Sequence, residues 1–436
     1  MGVTPNVRVA AQGATARLHA ALSAAVGTDQ WTLVDWQGAA VSGAGAPRFT
    51  LILKDRSALG ALLSPAPERG FGRAYANGDI EIDPLRPFLE VAQRADRRRL
   101  ALSLPRVVLT ALAAGVRPAT ASPTTAEARL SGRRHSAERD AAAIRHHYDL
   151  PVEFYQLWLD TTMTYSCAYF ETAETDLDSA QAAKLDLVCR KLRLRAGERL
   201  LDIGSGWGSL ALHAASRYGV RATGITISPT QAEYSAKRAR ELGIDNLVDF
   251  QLRDYRRVEE GAYDAIASIG MVEHVGRANM PRFATLVHRA LKPGGRALIH
   301  GITDRPEGRP MRGSFLDAFV FPDGDLQDIG FVIRTLERAG LEVRDVESLR
   351  EHYALTLEHW VRRLESAFER AAAIAGVDRA RVWRLYMTGS AIAFTRAQVG
   401  IHQTLAVKIA ENGESRLPLT RQDWYRMGSG LTSERR

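Results

Sequence analysis

The run Leu200-Leu201-Asp202-Ile203-Gly204-Ser205-Gly206-Trp207-Gly208 constrains this chain more than any other feature. A short apolar stretch ends in alternating glycines and passes directly into helical text. Glycines in such a turn let the backbone bend sharply and approach a ligand with no Cβ in the way. The surrounding text repeats one kind of unit. Residues 200–203, 222–227, 248–252, 265–269 and 297–302 read as strands, and residues near 210–218, 231–242 and 280–290 read as the helices between them. Strands alternating with helices predict an α/β, doubly wound parallel sheet. Ligands in such sheets sit beyond the carboxyl ends of the strands, near the switch in strand order. Asp202, Thr226, Asp254 and Glu273 all fall at that end.

The turn lies well inside a chain of 436 residues, a length that suggests about two to three domains. From Arg117 to Asp140 the text becomes rich in Pro, Ala, Ser, Thr and Arg, with no apolar period. It reads as a linker over 118–139, between a smaller α+β domain at 1–117 and a larger domain at 140–436. The larger domain opens with Glu153, Phe154, Leu157 and Trp158 behind Pro151, the pattern of an amphipathic helix start. Residues 381–408 read as helical, with an apolar stripe of Trp383, Tyr386, Met387, Ile392, Phe394 and Val399.

An apolar stretch at 100–116, flanked by Arg97, Arg98, Arg99 and Arg117 and carrying Pro105 and Arg106, is too short for the roughly 20 residues of a membrane span. Packing into the first domain is its expected fate, and lying on a membrane surface is the other. No apolar signal core opens the chain, so secretion is not expected. Cys167 and Cys189 are too few for a disulfide framework and suit a reducing cytoplasm. His146 and His147 are adjacent and point apart on a helix, so no metal site is expected. The net charge of +8 favours a polyanionic partner, whether nucleic acid or an acidic lipid surface.

The acid before the first glycine gives Asp-x-Gly-x-Gly-x-Gly, which departs from the dinucleotide fingerprint. It resembles motif I of S-adenosylmethionine (SAM) dependent methyltransferases. Further cues follow in the order that fold requires: Gly224-Ile225-Thr226-Ile227-Ser228 with Gln231, then Arg253-Asp254-Tyr255, then Gly270-Met271-Val272-Glu273, then Leu291-Lys292-Pro293-Gly294-Gly295. The expected architecture is thus a Rossmann-like SAM methyltransferase domain with a smaller α+β N-terminal domain. Asp254 is placed to accept a hydrogen bond from an adenine amino group.

A narrower resemblance rests on His147-Tyr148-Asp149, Phe154-Tyr155, Met163 to Phe170, Val272-Glu273-His274-Val275-Gly276, Phe319 to Gly324 and Glu351-His352-Tyr353. These segments resemble the cyclopropane-fatty-acyl-phospholipid synthase and mycolic acid cyclopropane synthase family over about 140–410. Gly70-Phe71-Gly72-Arg73-Ala74-Tyr75 with Gly78-Asp79 is similar to the small lipid-binding-type N-terminal domain of the phospholipid-modifying members. The resemblance implies a SAM site lined by Tyr165, Ser166, Asp202, Gly204, Ser205, Gly206, Trp207, Gly208, Thr226, Ser228, Gln231, Arg253 and Asp254. It also implies a bound bicarbonate ion acting as base, held by groups matching Cys167, Glu273, His300, Ile302 and Tyr353. His300 and Tyr353 can donate to an oxyanion, and Glu273 can hold the protonated oxygen of bicarbonate or orient His300. Tyr169, Phe170 or Phe321 could stabilise cationic character. The chain has Gly389-Ser390 where some bacterial synthases carry a cysteine, so no thiol acts there.

What the resemblance implies is C-methylation of the double bond of an unsaturated acyl chain in a membrane phospholipid, by a cytoplasmic enzyme associated peripherally with the inner face of the membrane. Ring closure to a cyclopropane is the expected outcome. The alternative is a methylene product on the way to a methyl-branched chain, which brings in a reductase partner. A homodimer formed through the first domain is an expectation that no residue carries. A nucleic-acid methyltransferase is disfavoured, because Gly270-Met271-Val272-Glu273 stands where amino-methylating enzymes carry an Asn/Asp-Pro-Pro-aromatic motif. A binder that has lost catalysis is disfavoured by the presence of all five residue types of the base site.

Overall fold

The computed structural model describes residues 5–118, 121–306, 308 and 311–425. The ends of both expected domains, Ala119 and Thr120 of the expected linker, and the side chains of residues 5–12 and of Arg97 lie outside the described residues. The chain divides into two compact units. The first gathers Met1–Leu130, Met311–Pro322 and Trp360–Ala393, and the second gathers Ser131–Pro310, Asp323–His359 and Phe394–Arg436.

Among its described residues the first unit carries a four-stranded sheet. Its strands are β1 (Thr32–Val34), β2 (Ala40–Ser42), β3 (Thr50–Leu53) and β4 (Ile80–Asp83), in the order β2-β1-β3-β4. The β1/β3 pair is parallel and the other two are antiparallel. Leu33, Leu53 and Ile80 are fully buried, and the core also takes Leu385 and Ile392 from the far end of the sequence. The two glycines of the Gly70–Tyr75 run sit on helix Pro67–Ala76 at close approaches. A Cβ on Gly70 would stand 2.1 Å from the Ala61 carbonyl oxygen, and one on Gly72 would stand 2.6 Å from the Phe319 ring. The sequence signal there is one of packing.

The second unit holds an eight-stranded sheet among its described residues. Its strands are β5 (Arg199–Ile203), β6 (Arg221–Thr226), β7 (Val248–Leu252), β8 (Tyr263–Ile269), β9 (Leu291–Asp304), β10 (Gln327–Asp328), β11 (Leu341–Ser348) and β12 (Gly400–Lys408). The order is β11-β12-β9-β8-β5-β6-β7, with β10 on β9. Strands β5 to β9 are parallel, and β12 runs antiparallel between β9 and β11. The order reverses at β5, which has β6 on one side and β8 on the other. The expected doubly wound sheet is therefore present, with its five parallel strands where the alternating text put them.

Three expectations change. The stretch 381–408 is not one helix: helix Val377–Thr395 ends and β12 follows. The apolar residues on both sides of that break are buried for different reasons, Met387 on a helix and Leu405 on an inner strand, and period alone does not separate the two. The helix behind Pro151 is a single turn, Val152–Gln156, although Phe154, Tyr155 and Trp158 are fully buried. The segment 121–127 belongs to the first unit and is packed there. Glu127 is 7% exposed and is bridged by Arg69 and Arg73, while Thr124 and Thr125 donate to Asp378. Helix Ala137–Tyr148 then begins inside the expected linker, with Ser136 as its cap.

The stretch at 100–116 is a helix, Arg97–Ala113, whose two faces have different fates. Val107 and Ala111 are buried, whereas Leu102 is 83% exposed. No helix among the described residues is long and apolar enough to cross a membrane.

Candidate active site

Strand β5 delivers Asp202 and the glycine turn to the carboxyl end of the sheet. Gly204, Gly206 and Gly208 all have positive φ, at 78°, 53° and 85°, a region L-residues with a Cβ rarely occupy. Their surroundings differ. A Cβ on Gly208 would meet Phe250 and the Ser235 hydroxyl at 2.8 Å, whereas one on Gly206 would meet nothing within 4 Å. Gly208 is therefore fixed by packing, and Gly206 faces open space. Beside that space, the buried Ser205 Oγ and Trp207 Nε1 have no hydrogen-bond partner among the described residues. Buried polar groups left unpaired in a native fold call for an explanation, and a polar ligand is one. Trp207 is held between the rings of Tyr155 and Tyr234, each with its centroid 5.3 Å away.

The other expected cofactor residues come to the same end of the sheet. Thr226 closes β6 and donates to Gln231 Oε1 at 2.8 Å, and Ser228 caps helix Pro229–Glu241. The Arg253 amide donates to the Thr226 carbonyl at 2.9 Å. Asp254 is already occupied on both oxygens: one accepts the Arg256 amide at 2.9 Å and the other the Arg256 guanidinium at 2.8 Å. An adenine amino group would share those oxygens rather than find them vacant. Tyr165 stacks on His147 with its hydroxyl 3.2 Å from His147 Nε2, and Ser166 Oγ accepts from Lys184 at 2.7 Å.

Strands β9 and β12 build the second half of the site. Glu273 lies on the short helix Val272–Val275 after β8 and reaches β9, where its Oε1 accepts the Ile302 amide at 2.6 Å. Gly301 permits this: a Cβ there would stand 3.1 Å from Val272 and 3.6 Å from Glu273 Oε2. His300 is two residues earlier on β9, with Nδ1 3.4 Å from the side-chain amide of Gln403 on β12. Glu273 Oε2 and His300 Nε2 are both buried with no partner among the described residues. Burial raises the Glu273 carboxyl to about 7, opposed by the Ile302 amide, and holds the His300 imidazole well below its ordinary range. At neutral pH the pair thus presents a partly protonated acid and a neutral imidazole. These are the groups an oxyanion needs around it.

Cys167 and Tyr353 join this cluster through backbone. The Cys167 thiol lies 3.2 Å from the Ala168 carbonyl and 3.7 Å from that of Leu349, and the Leu349 amide donates to Ile401, which pairs with Ile302 across β12 and β9. The Ala168 amide donates to Thr356, one turn beyond Tyr353 on helix Arg350–Ser366. Tyr353 packs against Phe394 at 4.7 Å between centroids. Complete burial pushes the Cys167 thiol far up, so it acts as a neutral group and not as a nucleophile. Among the aromatic candidates, Tyr169 stacks on His352 and Phe170 on His359, while Phe321 belongs to the first unit.

Three residues escaped the sequence reading. Lys184 is fully buried on helix Leu177–Lys191, and burial lowers it to about 8, opposed by the carboxylates of Asp160 and Asp202. Burial in turn raises Asp202 to about 7, with Lys184 opposing the shift. Gln181, one turn before Lys184, donates to the Ser166 carbonyl at 2.9 Å, so the two hold the 164–167 segment from one face. Gln403 supports His300 in the same way. The available signal was a polar residue at each apolar position of a helix or inner strand, a cost that burial imposes only where a partner waits.

Comparison with known proteins gives the chain's family. The family model described as mycolic acid cyclopropane synthetase matches residues 135–404. A probable fatty acid methyltransferase of Pseudomonas putida is 39% identical over 396 residues, 90% of this chain and 95% of the relative. The cyclopropane-fatty-acyl-phospholipid synthase of Escherichia coli K12 is 33% identical over 79% of this chain and 84% of its own length. Among solved structures, mycolic acid cyclopropane synthase CmaA1 complexed with SAH and CTAB superposes with a TM-score of 0.58 at 34% identity, covering 61% of this chain and 97% of that one.

Proposed function

The chain belongs to the mycolic acid cyclopropane synthetase family, and from that premise we propose that it is a SAM-dependent C-methyltransferase that converts the double bond of unsaturated acyl chains in membrane phospholipids to a cyclopropane. The observation that carries the reading is the pair of buried atoms without a partner among the described residues, Glu273 Oε2 and His300 Nε2, in a domain whose Gly206 turn leaves room for a ligand. When bound, SAM supplies the electrophilic methyl group, and bicarbonate supplies a base for the proton that the methylated chain must lose.

The chain's own residues do the rest. Gly206 leaves room for close approach, and Ser205, Trp207, Thr226 and Gln231 supply polar contacts to hold the cofactor beside Tyr165 and Ser166. A carbon–carbon double bond is a weak nucleophile, so alignment and exclusion of water carry much of the barrier reduction. Gln403, donating to His300 Nδ1, leaves the imidazole proton on Nε2, where it can hydrogen-bond an anion. Glu273 is fixed at Oε1 by the Ile302 amide, so the proton it carries near neutral pH sits at Oε2. Cys167, buried and neutral, contributes shape. The enzyme is proposed to work at the inner, cytoplasmic face of the membrane as a peripheral protein.

A second reading has a specific observation in its favour: a relative covering 90% of this chain is named a fatty acid methyltransferase. Loss of a proton after a hydride shift would leave an exocyclic methylene, and a separate reductase would then complete a methyl branch. The two products are isomers, so the test is NMR of fatty acids released from oleoyl phospholipid vesicles after turnover with SAM. Ring methylene signals are expected. Vinylic signals would replace the ring by the methylene product, and absence of product with SAM bound would remove the phospholipid assignment.

A further inference from the structure

We propose that the outer face of helix Arg97–Ala113 is the surface by which this protein docks on an anionic phospholipid bilayer. The proposal deepens the lipid reading by naming where the chain meets the bilayer, and it rests on that reading only for its biological purpose. The helix has 17 residues and packs by Val107 and Ala111, with Val107 against Ala21 and Ala25. The face turned away carries leucines and Pro105, with Arg98 and Arg106 among them. Leu102, Leu109 and Leu112 are 83%, 68% and 46% exposed, and with Pro105 they fall at spacings of three and four along one stripe. Leu100 and Leu104, 38% and 54% exposed, lie outside that stripe on the first turns, and so many exposed leucines on one helix differ from the singly scattered ones of ordinary surfaces.

Charge decides what covers the stripe. Arg98 and Arg106 stand one turn to either side of Leu102 and are exposed. From 97 to 126 the sequence contains five arginines, at 97, 98, 99, 106 and 117, and no Asp or Glu. An apolar stripe bordered by arginine is the composition of a helix lying in the interface plane, leucines in the acyl boundary and guanidinium groups among phosphates. A second copy is a poorer occupant. A symmetric contact would face this patch with itself, and the carboxylate at the helix, the capping Asp96, is already engaged by the Arg98 and Arg99 amides.

The test is flotation of the full chain with vesicles of saturated lipids, so that no double bond is present and no turnover is needed. Binding to vesicles containing phosphatidylglycerol is expected to be at least tenfold tighter than to pure phosphatidylcholine, and to weaken as salt rises. A Leu102→Asp/Leu109→Asp variant should lose at least tenfold, and Arg98→Glu/Arg106→Glu should lose the preference for phosphatidylglycerol. Both pairs are exposed, so thermal unfolding and SAM binding should match the parent chain and report intact folding. Unchanged vesicle binding by the leucine variant would overturn the proposal. So would conversion from dimer to monomer by that variant in sedimentation, with vesicle binding retained. Failure of the lipid-substrate reading looks different: vesicles bind, and oleoyl lipid receives no methyl group.

Discussion

Glu273→Ala is expected to lower kcat by about 10²- to 10⁴-fold, the usual scale for removing a positioned proton donor or acceptor, with SAM affinity changed by less than about threefold. Two losses add in this variant. The Ile302 amide, now bonded to Glu273 Oε1 at 2.6 Å, is left buried without an acceptor, at a cost of about 1–3 kcal/mol. The second buried oxygen, Glu273 Oε2, also disappears. Glu273→Gln separates the two effects, because its carbonyl can still accept from Ile302 and its amide can donate where the protonated oxygen stood. It should retain activity within about tenfold of the parent, on the reasoning that it reproduces the protonated acid. The pH profile gives the sign. Burial raises the Glu273 carboxyl to about 7, so the protonated form is present below that pH and lost above it. Activity of the parent should decline through an alkaline limb at or above pH 7, and Glu273→Gln should lack that limb. A glutamine variant as inactive as the alanine variant would show that the ionised carboxylate is the working form. The same shift acts on stability in a defined window. The unfolded carboxyl ionises near its ordinary value of 4.5 and the folded one near 7, so this group destabilises the fold progressively as pH rises between them.

Gly208→Ala is the second large effect, and it acts on cofactor binding through the backbone. Gly208 has φ 85°, and a Cβ would meet the Phe250 ring and the Ser235 hydroxyl at 2.8 Å. Left-handed backbone costs an L-residue about 1–2 kcal/mol, and forcing a methyl into packed surroundings adds about 1–3 kcal/mol. The turn must shift to relieve this, and Ser235, which donates to the Gly206 carbonyl at 3.3 Å, carries the shift to Gly206. SAM affinity is expected to fall at least thirtyfold by calorimetry, with a lower unfolding midpoint. Gly206→Ala is the control. A Cβ there meets nothing within 4 Å, so it should leave the unfolding midpoint closer to that of the parent while still weakening SAM. Equal SAM binding by parent and Gly208→Ala would contradict the cradle.

The parallel part of the larger sheet was legible because local text and long-range order agree there. The strands β5 to β8 are short runs of five to seven residues, each closed by a turn or by the next helix, β9 is longer at 14 residues, and the right order of motifs followed from their succession. The positions of Asp202 and Thr226 at strand ends were legible for the same reason, since the register of neighbouring strands fixes them, and Glu273 follows on the short helix after β8. Other parts depend on partners far away in sequence. Strand β12 reads like the helix before it because both are apolar, and only its pairing with β9 and β11 makes it a strand. Glu127 reads as linker text until Arg69 and Arg73 are placed beside it. The first unit takes 311–322 and 360–393 from within the larger expected domain, a division no local signal marks. Lys184 and Gln403 were passed over because a polar residue on an apolar face is a defect in isolation. In the fold it is a support for Ser166 and for His300.

The most direct test of the account is transfer of a labelled methyl group from SAM to oleoyl phospholipid in vesicles, comparing the parent chain with Glu273→Ala at equal SAM occupancy. The account predicts label in the acyl chain for the parent, and a rate at least a hundredfold lower for the variant. Label in the headgroup, or equal acyl labelling by both proteins, would contradict it.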